Sequence, residues 1–206
     1  MGALAEFLKE GDEKFGDLSL LKPIVIAPGR FNPPHLGHKL IVDKLVALGE
    51  ELNAEPVILI IDSGKTGPKN PLTGDVRKQY LSKMFPNIRM EVFKNPFEAV
   101  EQLALSEKLV PVGGVTGADR GDNYKGMVGR VFGEGIGGQY RSVVIHRNPD
   151  AEQDIAGISA TKARQAAVEG DVPKFRAMTG LEDQEARTLI DLLVKGMSNG
   201  EQSVQG

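Results

Sequence analysis

Two histidines three residues apart, His35 and His38, stand in the stretch GRFNPPHLGH, Gly29 to His38. At the start of a helix this spacing puts both rings on one face. Pro33 and Pro34 stiffen the turn that leads into it. Gly37 leaves space above that face, and Gly29, with no Cβ, lets a ligand come close to the backbone. A helix beginning here contributes free N–H groups and its positive end. The expected product is a compact, rigid, cationic pocket suited to an oligophosphate. Two other readings of the pair stay open: a metal site, which needs a third ligand from His146 or a distant carboxylate, and a purely structural role.

A second group of polar residues sits in GISATKAR, which starts at Gly157. Ser159 is a natural N-cap for the alanine-rich segment after it. Capping accounts for the serine and leaves Thr161, Lys162 and Arg164 on the same first turn without a reason. A third stretch, DSGKTGPKNPLTG, carries Lys65 and Lys69, with Arg77 on the helix that follows. These three cations could bind an acceptor phosphate, or they could belong to a solvated loop.

The elements that must hold these residues alternate. PIVIA, PVILII, IRMEVF, VPVGGVTGA and SVVIH are short apolar runs and predict five strands. Leu40, Ile41, Leu45, Leu48 and Leu52 fall at helical spacing. Helices are also predicted over 75–85, from Pro96 onward, and over 159–169, 172–178 and 182–195. Continuously apolar strands alternating with amphipathic helices mean a parallel sheet covered on both faces. The expectation is a Rossmann-like, three-layer α/β/α fold of about five strands with extra C-terminal helices. Such sheets bind ligands in the loops beyond the carboxyl ends of their strands. GRFNPPHLGH, DSGKTGPKNPLTG and TGADRGDNYKG all lie at those places. The glycine-rich VFGEGIGGQY reads as a mobile loop or hairpin. The expected division is a tether over 1–21, the main domain over 22–178, and a helix with a disordered tail over 179–206.

Bulk properties narrow the function. The 206-residue chain carries a net charge of −3, which gives no basic surface for nucleic acid. It has no cysteine, so disulfides, thiolate nucleophiles and cysteine-bound zinc are excluded. There is no signal-peptide pattern and no apolar run of the roughly 20 residues a membrane helix needs. A cytoplasmic location is expected (host cytoplasm if viral), with no membrane partner. Self-association is left open.

GRFNPPHLGH is similar to the G-x-F-x-P-x-H-x-G-H signature of the nucleotidylyltransferase superfamily. GISATKAR resembles that superfamily's second motif, Ile-Ser-x-Thr-x-x-Arg, from Ile158 to Arg164. NPLT and GADR also look like features of the group. The resemblance covers about residues 22–178 and reaches furthest towards cytidylyltransferase-like proteins of tailed bacteriophages and mononucleotide adenylyltransferases. It implies attack by an acceptor oxygen on the α-phosphorus of a nucleoside triphosphate, ATP or CTP, with release of pyrophosphate. By position, His35 and His38 contact the triphosphate, with His38 nearest the α-phosphorus. Ser159, Thr161 and Arg164 hold the outer phosphates, and Lys162 either assists or faces solvent. Gly29, Arg30 and Phe31 line the nucleotide pocket, although Phe31 could serve only as core. Asp119 stands near the ribose or acts as a turn residue. Mg2+ is the triphosphate's expected companion, held mainly by phosphate oxygens and water. The acceptor is a small phosphorylated molecule, and nicotinamide mononucleotide is one option. A different class also remains: a nucleotide-binding structural or assembly protein with weak or no catalysis.

Overall fold

The computed structural model describes residues 20–117, 123–145 and 157–198. Five strands form one parallel sheet: β1 (Lys22–Gly29), β2 (Glu55–Ile61), β3 (Arg89–Phe93), β4 (Leu109–Gly117) and β5 (Arg141–Ile145). Their spatial order is β3-β2-β1-β4-β5. Of the three inner strands, β1 and β2 are unbroken apolar runs because helices cover both faces. Ile24 to Ala27 and Val57 to Ile60 are buried throughout.

On one face, Val42, Leu45 and Leu48 of α1 (Lys39–Leu52) and Leu81 of α2 (Gly74–Met84) pack on Val25, Ala27, Ile58 and Ile60. On the other, α3 (Pro96–Glu107) and α4 (Asn123–Phe132) pack on Ile24, Ile26, Val57 and Leu59. The alternation of strand side chains divides these two cores. Asn95 caps α3 by accepting the Glu98 N–H at 2.9 Å, with Pro96 in the first turn. The chain is therefore a Rossmann-like, three-layer α/β/α protein.

A third apolar cluster joins α6 (Ala160–Glu169), α7 (Val172–Thr179) and α8 (Asp183–Ser198). It also takes in Leu72 and Tyr80, so the C-terminal helices brace the segment after β2. Gly196 of α8 lies flush on the Pro71 backbone, whose carbonyl oxygen leaves no room for a Cβ. Among the described residues no helix is long and apolar enough to cross a membrane.

One element differs from expectation. VFGEGIGGQY is neither hairpin nor loop: it contains the end of α4, a break at Gly133, and the short helix α5 (Glu134–Gln139). TGADRGDNYKG likewise turns helical from Asn123. Tyr124, Met127, Val128 and Phe132 supply a buried helical stripe. The glycines here serve close packing. A Cβ on Gly137 would stand 2.5 Å from the Gly129 Cα.

The chain runs from β1 outward to β2 and β3, then returns to place β4 on the other side of β1. That reversal opens a crevice at the carboxyl ends of β1 and β4, the place where such sheets bind ligands. GRFNPPHLGH leaves β1 at this point. Residues 1–19, 118–122, 146–156 and 199–206 are outside the described residues; they include the expected tether and tail, Asp119 and His146.

Candidate active site

The turn after β1 is built tightly. Phe31 adopts a left-handed φ of 51° and folds its ring back over Gly29. A Cβ on Gly29 would stand 2.7 Å from that ring. The space expected for a ligand at Gly29 is thus filled by the chain itself, because Phe31 is core: it is buried among Val25, Ala27 and Val115. Arg30 beside it is exposed.

His35 precedes a single 3-10 turn, Leu36–His38, that runs directly into α1. The two imidazoles stack, with centroids 3.8 Å apart, and Phe31 meets His38 edge to face at 4.9 Å. The His35 N–H donates to His38 Nδ1 at 3.1 Å. A neutral His38 therefore carries its proton on Nε2, as a donor. Both histidines are buried, at 0% and 4% exposure, and so do not present an open cationic surface.

Gly37 explains part of this covering. The room above it is occupied by the start of the second polar segment: a Cβ there would stand 2.7 Å from the Ile158 carbonyl oxygen and 2.9 Å from the His35 ring. Ser159 caps α6, accepting the Lys162 N–H at 3.2 Å. Thr161 and Lys162 are exposed on the first turn. Arg164 reaches across to the first segment and donates to the Asn32 carbonyl at 2.7 Å and to Thr161 Oγ1 at 3.2 Å. Burial lowers the Arg164 pKa from its ordinary value. Two stretches 132 residues apart thus meet, and each runs into a helix N-terminus.

The loop from Asp62 to Thr73 lies against the same turn. Lys65 and Lys69 are exposed on it. Gly67 and Asn70 exchange backbone hydrogen bonds at 3.2 and 2.9 Å, and Asn70 Nδ2 donates to the Lys65 carbonyl at 2.9 Å. Arg77 does not join them at the mouth. It is fully buried, pairs with Asp62 at 3.1 Å, and donates to the carbonyls of Arg30, Ile61 and Thr73. Burial lowers its pKa, while Asp62 opposes that shift. Its planar, multi-donor guanidinium suits the tying of three chain segments. The expectation that Arg77 contacts an acceptor is corrected here: the side chain is fully buried and ties Asp62 to three backbone carbonyls.

Two further contributors, Asp62 and Asn32, carry no motif. Asp62 accepts from the Gly64 and Gly74 N–H groups and so shapes both ends of the loop. Asn32, buried at 4% exposure, holds the loop through its amide. Asn32 and Asn70 each precede a proline, as Asn95 and Asn148 also do, so the pairing alone did not single them out.

Residues 26–166 match the family described as cytidylyltransferase-like. The chain belongs to the cytidylyltransferase-like family. Membership supports a nucleotidyltransferase-type activity and binding of a nucleoside triphosphate. No curated protein matches the chain. Among solved structures, a macrolide-efflux protein from Streptococcus pneumoniae is similar in fold, with 17% identity and a TM-score of 0.50. That match covers 81% of this chain and 59% of the other, and it shows the fold alone.

Proposed function

We propose that this family member transfers a nucleoside monophosphate, AMP or CMP, from its triphosphate to a small phosphorylated acceptor. The observation that carries the reading is the meeting of the two polar segments: Arg164 is bonded to the Asn32 carbonyl, and Ile158 packs against Gly37 between the two histidines. An acceptor phosphate oxygen attacks the α-phosphorus, the new O–P bond forms, and the bond to the β-phosphate oxygen breaks to release pyrophosphate. A phosphate monoester is already anionic at neutral pH, so no general base is needed. The chain's work is positioning and charge stabilisation.

His38, whose Nδ1 accepts the His35 N–H, is assigned to the α-phosphate. Arg164, Ser159, Thr161 and the N–H groups at the start of α6 receive the outer phosphates, and Lys162 stands beside them. His35 stacks under His38 and fixes its ring. Lys65 and Lys69 meet the acceptor's phosphate. Among the described residues no three His, Asp or Glu gather as a metal site. Mg2+ would come with the triphosphate, held by its phosphate oxygens and water, and would supply charge neutralisation there. Nicotinamide mononucleotide adenylyl transfer is one form of this reaction and cytidylyl transfer another.

The test is a panel of four nucleoside triphosphates against phosphorylated acceptors, read by pyrophosphate release. Release with one pair supports transfer. His38→Ala should then lower kcat by roughly 10²–10³, the usual loss for one preorganised donor, with nucleotide affinity changed only several-fold. Nucleotide binding with no release from any pair would favour a binding protein over an enzyme.

A further inference from the structure

Asn32 makes more directed contacts than a turn residue requires. Its Nδ2 donates to Asn70 Oδ1 at 2.6 Å and to the Leu72 carbonyl at 2.9 Å. Its Oδ1 accepts the Leu72 N–H at 3.3 Å. Its own carbonyl accepts from Arg164 at 2.7 Å. Asn70 in turn holds the Lys65 carbonyl. A continuous chain of hydrogen bonds therefore runs from the first turn of α6, through Asn32, to the backbone that carries Lys65 and Lys69. Leu72 is at the same time anchored in the C-terminal helical cluster, so this end of the loop is tied to rigid structure.

We infer that Asn32 is a positioning residue that couples the triphosphate side of the crevice to the lysine loop. Nucleotide held at Arg164 fixes the Asn32 backbone, and the Asn32 amide then fixes the loop over Asp62–Thr73. The loop is ordered by nucleotide before an acceptor arrives, which makes nucleotide the first substrate to bind. By linkage, an acceptor that orders the loop tightens nucleotide binding by the same factor. This inference rests on the proposed binding of triphosphate at Arg164.

The experiment is amide hydrogen exchange on the full chain, with and without magnesium-ATP and magnesium-CTP, alongside thermal melting. In the parent, the nucleotide that raises the melting temperature should slow exchange at Gly67, Asn70 and Leu72. In Asn32→Ala, Leu72 should exchange about five- to tenfold faster, the worth of one ordinary hydrogen bond. The loop should no longer respond to nucleotide, while the nucleotide still raises the melting temperature. Asn70→Ala tests the same path should Asn32→Ala fold poorly: it should uncouple Gly67, while Leu72, bonded directly to Asn32, keeps its response. Asn70→Asp keeps an acceptor for Asn32 Nδ2 but has no donor for the Lys65 carbonyl, so it too should lose the response at Gly67 and keep it at Leu72, a split that a merely structural role would not produce. A Gly67 amide that still responds in Asn32→Ala or Asn70→Ala, or a loop that never responds in a parent stabilised by nucleotide, would overturn the coupling alone. A parent with no melting shift from either nucleotide would overturn the coupling together with the binding reading beneath it.

Discussion

Arg77→Ala separates a structural cation from a substrate-binding one. The side chain is wholly buried, and removing it strands the Arg30 and Ile61 carbonyls as well as the Asp62 carboxylate, whose side chain is only 15% exposed. Breaking a buried ion pair by deleting one partner costs about 3–5 kcal/mol, because the other charge is left uncompensated. In a domain of this size about 1 kcal/mol moves Tm by about 2–4 °C, so the expected fall is roughly 6–20 °C. Lys69→Ala is the control, since an exposed lysine should change stability by no more than about 0.5 kcal/mol. Circular dichroism melting and urea titration measure both variants. The loop Asp62–Thr73 should also loosen in Arg77→Ala, because Asp62 and Thr73 lose their common partner. An Arg77→Ala protein that melts within about 2 °C of the parent would refute the assignment and return Arg77 to the acceptor side.

Gly37→Ala should destabilise by about 1–3 kcal/mol, the usual cost of overpacking, because its Cβ would press on the Ile158 carbonyl and the His35 ring. It should also diminish the melting shift from magnesium-nucleotide, and calorimetry reads both effects. Gly126→Ala, where nothing lies within 4 Å of the added carbon, should stabilise α4 by about 0.5–1 kcal/mol in a thermal melt. Arg164→Ala should weaken triphosphate binding by about 1.5–3 kcal/mol, as for a lost charge-assisted hydrogen bond, in isothermal titration. Unchanged nucleotide affinity would remove Arg164 from the site.

The five strands were legible because each is a short apolar run between turn residues, and the inner ones need no alternation when helices cover both faces. The helices with clear apolar stripes, α1 to α3 and α6 to α8, were legible for the same reason. The helical pair α4 and α5 was not, because Gly126, Gly129, Gly133, Gly135, Gly137 and Gly138 read as loop. Their packing value shows only when Gly129 meets Gly137 across the pair. At the site, His35, His38, Ser159, Thr161 and Arg164 stood out by type and spacing. Nothing in a string of letters separates the exposed Lys69 from the buried Arg77, since burial is decided by where α2 lands under the loop. Asn32 was silent too: an asparagine before two prolines reads as turn chemistry, and its partners Asn70 and Leu72 lie about forty positions away.

Displacement at the α-phosphorus is read out by the fate of label. ATP or CTP carrying a radiolabel on either the α- or the γ-phosphate is incubated with the protein, magnesium and the phosphorylated acceptors. The α-label should move into the acceptor product while the γ-label leaves as pyrophosphate. Transfer of γ-label to the acceptor, or its release as orthophosphate without α-transfer, would rule out nucleotidyl transfer.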